Sequence, residues 1–280
     1  MKKYISSAVL IFAAVYTVMS VSSCKKTSTT TNNDQITVGF HFHSWIGGVA
    51  LDPFSYASEA YPDSLSRLLN LTIAQFYISN IAIHTTTGGW QQPKPGLIML
   101  KRIDNETYTL GTINPGPIDT VKYTVGIGYP LNTQPPSAFS TTSPLDSVLS
   151  SKEASLMFGS AMAGMTGMPS GYTFMNIQGR DSTDHLPLNY QLGGYGDTVN
   201  IVLTYPGGFN FSPQLPGTEI NYIHQAIDYG TLLQIFNPIN SGNNNSQFYG
   251  TNPSPANLLL NAIKNNSNII HWECSPPINC

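Results

Sequence analysis

Several stretches of this 280-residue chain place apolar residues at every second position, the period of a strand with one face turned to a core. The stretch Leu71–His84, LTIAQFYISNIAIH, departs from simple alternation. Ile73, Gln75, Tyr77, Ser79, Ile81 and Ile83 fall on one side, and Thr72, Ala74, Phe76, Ile78, Asn80 and Ala82 on the other, so both sides are largely apolar. Such a strand belongs in the middle of the fold, covered on both faces. Its β-branched and aromatic content, and the Thr85-Thr86-Thr87-Gly88-Gly89 run that closes it, favour a strand over a helix.

Ile36–Trp45 alternates more cleanly: Ile36, Val38, Phe40 and Phe42 point one way, and Thr37, Gly39, His41, His43 and Trp45 the other, before Gly47-Gly48 ends the run. Further strands are predicted over 97–102, 107–110, 119–128, 171–179, 189–193, 198–205 and 219–226, the 198–205 strand stopping at Pro206-Gly207-Gly208. Helical turns are predicted at 64–69, behind Asp63 as a cap, and at 145–149; short helices are predicted at 231–236 and 256–264, the last with Ser254 as N-cap and Pro255 at the first helical position. About eight to ten short strands with one or two short C-terminal helices make an all-β antiparallel sandwich, a single domain over residues 36–280.

Composition adds an address. Lys2 and Lys3 precede an apolar segment from Ala8 to Val21, which closes on Val21-Ser22-Ser23-Cys24. This is a lipoprotein signal peptide, residues 1–23, whose core is shorter than the roughly 20 residues a membrane span needs. Cys24 is then the lipidated residue, and several acyl chains at about 0.8 kcal/mol per buried CH₂ give a lasting anchor. Residues 24–35 form a flexible tether with a reach of roughly 18 Å. Lys25 after the cysteine points to the outer membrane, and the missing acidic run points to its periplasmic face rather than the cell surface. Without residues 1–23 the twelve basic residues become ten against fifteen acidic ones, a net charge of 10 − 15 = −5, so nucleic acid is not an expected partner. Cys274 and Cys280 are the remaining thiols, and an oxidising envelope pairs them in a disulfide that pins the C-terminal tail.

Two clusters carry candidate metal chemistry. His41 and His43 project from one face of the first strand, close enough for two imidazoles to converge on one ion, and imidazole suits copper and zinc. Met162, Met165 and Met168, in MFGSAMAGMTGM, offer soft thioethers at a spacing that lets a loop wrap Cu(I). Signatures of enzymes are lacking: there is no Gly-x-Ser-x-Gly elbow, no His-Glu-x-x-His and no phosphate loop. The long loops 88–96, 129–155 and 240–252 support an alternative, a metal-free module that binds protein or glycan at the membrane.

The motifs FHSWIGG, FYISN, VGIG, SPLDS, SLMFGSAMAG, SGYTFMNIQG and YQLGG, in this order over roughly residues 38–236, resemble those of the MbnP-like family of periplasmic and outer-membrane proteins, related to methanobactin-associated and methanotroph copper-binding proteins. Gly159 stands where that family has a tryptophan, and Gln191 where it has a histidine. The resemblance implies a copper-binding or copper-handling lipoprotein of the Bacteroidetes type without catalytic activity of its own. It also implies a dihaem partner protein that oxidises a tryptophan near copper, with Trp45 and Trp272 as the targets here.

Overall fold

A computed structural model describes residues 35–63, 65–140, 148–149, 171–183, 187–193, 198–210, 220–236, 245–249 and 261–273. The first strand, β1 (Ile36–Ile46), follows its alternation: Val38, Phe40, Phe42 and Ile46 are fully buried, whereas His41, His43 and Trp45 are half-buried on the opposite face. Gly47 and Gly48 have φ of +58° and +82°, the pair of left-handed residues that a tight two-residue hairpin demands, and β2 (Val49–Ala50) returns antiparallel to β1. β3 (Tyr61–Pro62) leads to Asp63, where the predicted helical turn does not form. The Asp63 carboxylate accepts from the backbone N–H groups of Leu65 and Arg67 at 2.9 Å each, and Ser66 takes φ +62°, so the chain makes a turn that hands it straight to β4.

β4 (Leu68–Thr85) is the long central strand. Its first half pairs with β9 (Thr173–Asp181) and β6 (Met99–Arg102), its second half with β8 (Ile118–Val125) and β5 (Gly89–Gln91), all antiparallel. The polar pair Ser79-Asn80 in its middle marks a bulge. Asn80 has φ +54°, a conformation asparagine tolerates better than most residues, and the register against β8 shifts between Ser79 and Ala82. The buried Ser79 hydroxyl donates to the Gly126 carbonyl at 2.8 Å and so satisfies itself within the sheet.

The remaining elements are β7 (Thr107–Ile113), β10 (Pro187–Gly193), β11 (Val199–Phe209), β12 (Asn221–Asp228), helix α1 (Tyr229–Phe236), β13 (Asn245–Tyr249) and β14 (Ile270–Trp272), with helical residues at 261–265. β11 does not stop at Tyr205 as predicted but continues through Pro206-Gly207-Gly208, with a register shift against β8 between Thr204 and Phe209 that absorbs the proline. The strands form two sheets. One has the order β14-β12-β1-β2 with β7 also on β1; the other has the order β11-β8-β4-β9-β10-β13 with β3, β5 and β6 on β4. The all-β, two-sheet architecture with short helices is the one predicted. Most pairings are antiparallel, but β1 with β12 and β10 with β13 run parallel.

Phe40 and Phe42 of the smaller sheet pack against Tyr123 and Phe76 of the larger, with ring centroids 5.7 and 5.8 Å apart. Each fully buried ring contributes about 1.5–3 kcal/mol. Two polar links cross this apolar interior. Tyr123 donates to Gln225 Oε1 at 2.8 Å, and the fully buried Lys101 on β6 donates from Nζ to Ser44 Oγ on β1 at 3.1 Å. The predicted turn at 145–149 lies mostly outside the described residues, as does the first part of the predicted helix at 256–264.

Candidate metal centre

The face of β1 that carries His41, His43 and Trp45 is turned away from the core, and the parallel neighbour β12 continues it. The register sets His41 opposite His224 and Trp45 opposite Asp228, and period-two alternation therefore lays Tyr222, His224 and Ala226 beside the β1 histidines. The rings of His41 and His43 lie with centroids 4.1 Å apart, and those of His41 and His224 4.6 Å apart.

Two carboxylates complete the cluster, each tied by its own backbone to the strand it serves. The carbonyl of Glu106 accepts from Phe42 N–H at 2.7 Å, which places its side chain between the two β1 histidines: Glu106 Oε2 lies 3.4 Å from His41 Nε2 and 4.0 Å from His43 Nε2. Glu273, just beyond β14, donates its N–H to the His224 carbonyl at 3.1 Å and hydrogen-bonds His43 Nδ1 through Oε2. Lys101 steadies the turn that leads into Glu106. Its ammonium donates to the carbonyls of Arg102 at 2.6 Å and Asn105 at 3.1 Å, and the Tyr108 hydroxyl donates to the same Asn105 carbonyl at 2.8 Å.

The electrostatics separate the histidines. The hydrogen bond that His43 donates to Glu273 raises the pKa of His43 against the opposing effect of burial, with the charges of Glu273 and Glu106 adding to the rise. His224 is lowered, first by burial and then by its neighbours His41 and His43, so it is neutral and ready to donate a lone pair at neutral pH. Among the described residues two triads have donor atoms all within 4.8 Å of one another: His41, His43 and Glu106, and His43, His224 and Glu273. Imidazole nitrogen with carboxylate oxygen, half-buried and held by backbone hydrogen bonds, is a donor set for a divalent ion such as Cu(II) or Zn(II).

Of the residues singled out by sequence, His41 and His43 are therefore brought together, and they gain three partners that sequence reading passed over: His224, Glu106 and Glu273. His224 sits in an alternating stretch, NYIHQAID, but nothing local says which strand it will join. Trp45 ends the row, edge-on to His271 with centroids 5.7 Å apart. Trp272 lies instead against Tyr205, with centroids 5.8 Å apart. Gln191, the position that differs from the resembled family, is on β10 of the other sheet, so it is remote in topology from this centre. Met162, Met165 and Met168, Cys24, and the Cys274–Cys280 pair lie outside the described residues.

The fold and site define an all-β two-sheet protein with a His/Glu cluster on the outer face of its smaller sheet. The chain belongs to the MbnP family, whose model matches residues 35–252. Among solved structures it is similar to MbnP from Methylosinus trichosporium, with 13% identity and a TM-score of 0.42 over 71% of this chain and 78% of that one. No curated protein matches the chain.

Proposed function

We propose that this protein binds copper, as Cu(II), at the His/Glu cluster of β1 and β12, and that it does so as a binding protein without catalysis of its own. The observation that carries the proposal is the convergence of three imidazoles and two carboxylates from β1, β12, the turn before β7 and the end of β14, with both carboxylates fixed by backbone hydrogen bonds. Preorganised donors of this kind lower the ordering cost of binding. His41, His43, His224, Glu106 and Glu273 would hold the ion, and His43 gives up its proton as it binds. The thioether set Met162, Met165 and Met168 is kept as a separate Cu(I) site.

The test is metal analysis of the purified full chain after exposure to Cu(II), set against a His41→Ala/His43→Ala variant, a His224→Ala variant and a triple Met→Leu variant at 162, 165 and 168. A Cu(II) content below that of the wild type in both histidine variants, with retention in the methionine variant, is expected. A wild type that takes up no copper would overturn the proposal and leave the metal-free binding module in its place.

The same proposal includes the address: lipidation at Cys24 and a place in the outer membrane facing the periplasm, where a dihaem protein would meet Trp45 at the end of the histidine row. Cys24→Ala should release the protein from the membrane pellet into the soluble fraction. An oxidised tryptophan is sought by mass spectrometry of the peptide containing Trp45.

A further inference from the structure

His43 belongs to both triads, and its two ring nitrogens serve different carboxylates: Nδ1 hydrogen-bonds Glu273 Oε2, while Nε2 faces Glu106 Oε2 at 4.0 Å. The other histidines divide the same way. His41 turns Nε2 to Glu106 at 3.4 Å, and His224 groups with Glu273. His224 and Glu273 fall in no group with His41 and Glu106, so among the described residues the five donors make two sets that share only His43.

We propose that the cluster is a dinuclear centre, in which the imidazole of His43 bridges two divalent ions, one held by His41, His43 Nε2 and Glu106, the other by His43 Nδ1, His224 and Glu273. The proposal rests on the metal-binding reading above and specifies its stoichiometry. Each triad has one carboxylate to offset part of one ion's charge, and neither needs a donor from the other except His43. An ion on one nitrogen makes the remaining N–H of the ring more acidic, because a bound cation favours the anionic form of its ligand. The second ion replaces that proton, which passes to solvent, and the bridging ring carries one negative charge. Two divalent ions against two carboxylates and one imidazolate leave a net charge of about +1, milder than the +2 of an uncompensated ion. The ions are borderline divalent metals that take nitrogen and oxygen together, Cu(II) and Zn(II) being the probes.

The experiment loads the metal-free full chain with Cu(II), and separately with Zn(II), removes excess metal and counts ions per chain. Wild type should hold two ions of either metal, and Glu106→Gln and Glu273→Gln one each. Both substitutions keep the backbone anchor and side-chain size, and circular dichroism checks that they fold. For the copper-loaded wild type, the integrated electron paramagnetic resonance signal should fall below half of the copper content, because spins coupled through a shared imidazolate cancel. Each Gln variant should return the full signal of its single ion. One ion in the wild type overturns the bridge and leaves the proposed function standing. Two ions that both persist in the Gln variants, or two with a full signal, place the second ion elsewhere or unbridged and also overturn it. No ion at all defeats the proposed function itself.

Discussion

Lys101→Met would remove a cation from the core while keeping the length of the side chain. Lys101 has no solvent exposure, and burial lowers its pKa from 10.5 to about 7, with Glu106 and Asp104 pulling the other way. Three acceptors, Ser44 Oγ and the carbonyls of Arg102 and Asn105, still surround Nζ within 3.1 Å, the complement of an ammonium. A folded pKa below the unfolded one means that the charged amine opposes folding. The penalty is complete below pH 7, shrinks as pH rises through the window from about 7 to 10.5, and vanishes above it. At about 1.4 kcal/mol for each tenfold, the full penalty is roughly 5 kcal/mol, and about 4 kcal/mol of it is recovered between pH 6 and pH 10.

The methionine variant loses three hydrogen bonds but strands little. Asn105 O keeps the Tyr108 hydroxyl at 2.8 Å, and Arg102 O keeps the N–H of Asn105 at 3.3 Å. Its own cost should therefore be about 2–4 kcal/mol and independent of pH. Denaturant unfolding of both metal-free proteins at pH 6, 8 and 10 reads the difference. Near pH 6 the methionine variant should be the more stable by about 1–3 kcal/mol, and by pH 10 the wild type should lead by about 1–3 kcal/mol. A difference constant to within about 1 kcal/mol over that range would refute the depressed pKa of Lys101.

Tyr123→Phe removes the hydroxyl that meets Gln225 Oε1 between the sheets and should cost about 1–2 kcal/mol in the same assay, with no change in metal stoichiometry. Gly111→Ala should be harsher, at least about 2 kcal/mol, because φ is +131° there and a Cβ would stand 2.4 Å from the Pro93 carbonyl oxygen; thermal unfolding reads it. Because Glu273 raises the pKa of His43, protons compete with metal already above pH 6.5, so the copper dissociation constant should climb about tenfold per pH unit as pH falls below the raised value. Glu273→Gln should move that onset to lower pH, and competition against a chelator at several pH values measures it.

What could be read from the chain was whatever depends on near neighbours in sequence. Alternation placed His41, His43 and Trp45 on the face opposite Phe40 and Phe42, and the doubly apolar pattern of 71–84 marked β4 as central, because side-chain direction in a strand is set locally. Asp63 misleads for the same reason: a carboxylate ahead of polar residues caps a helix or a turn equally well, and here the turn opens directly into β4. The roles of Glu106 and Glu273 in the cluster were invisible, since each carboxylate reaches it through a backbone bond to a strand far away in the chain, at Phe42 and His224. Register between β1 and β12 is likewise a property of the packed sheets and has no local signature in either strand.

The parallel pairing of β1 with β12 also sets when the centre can exist. His41 faces His224 across 183 positions of chain, and Glu273 arrives only with the segment after β14. Contacts so distant in sequence form late, after the loops between them have closed. A chain interrupted before residue 220 would hold His41, His43 and Glu106 on β1 and the turn before β7, with no β12 beside β1 and neither His224 nor Glu273 to complete the set. Formation of the second triad is thereby tied to completion of the sheet, and its geometry is absent until the last described strand has docked.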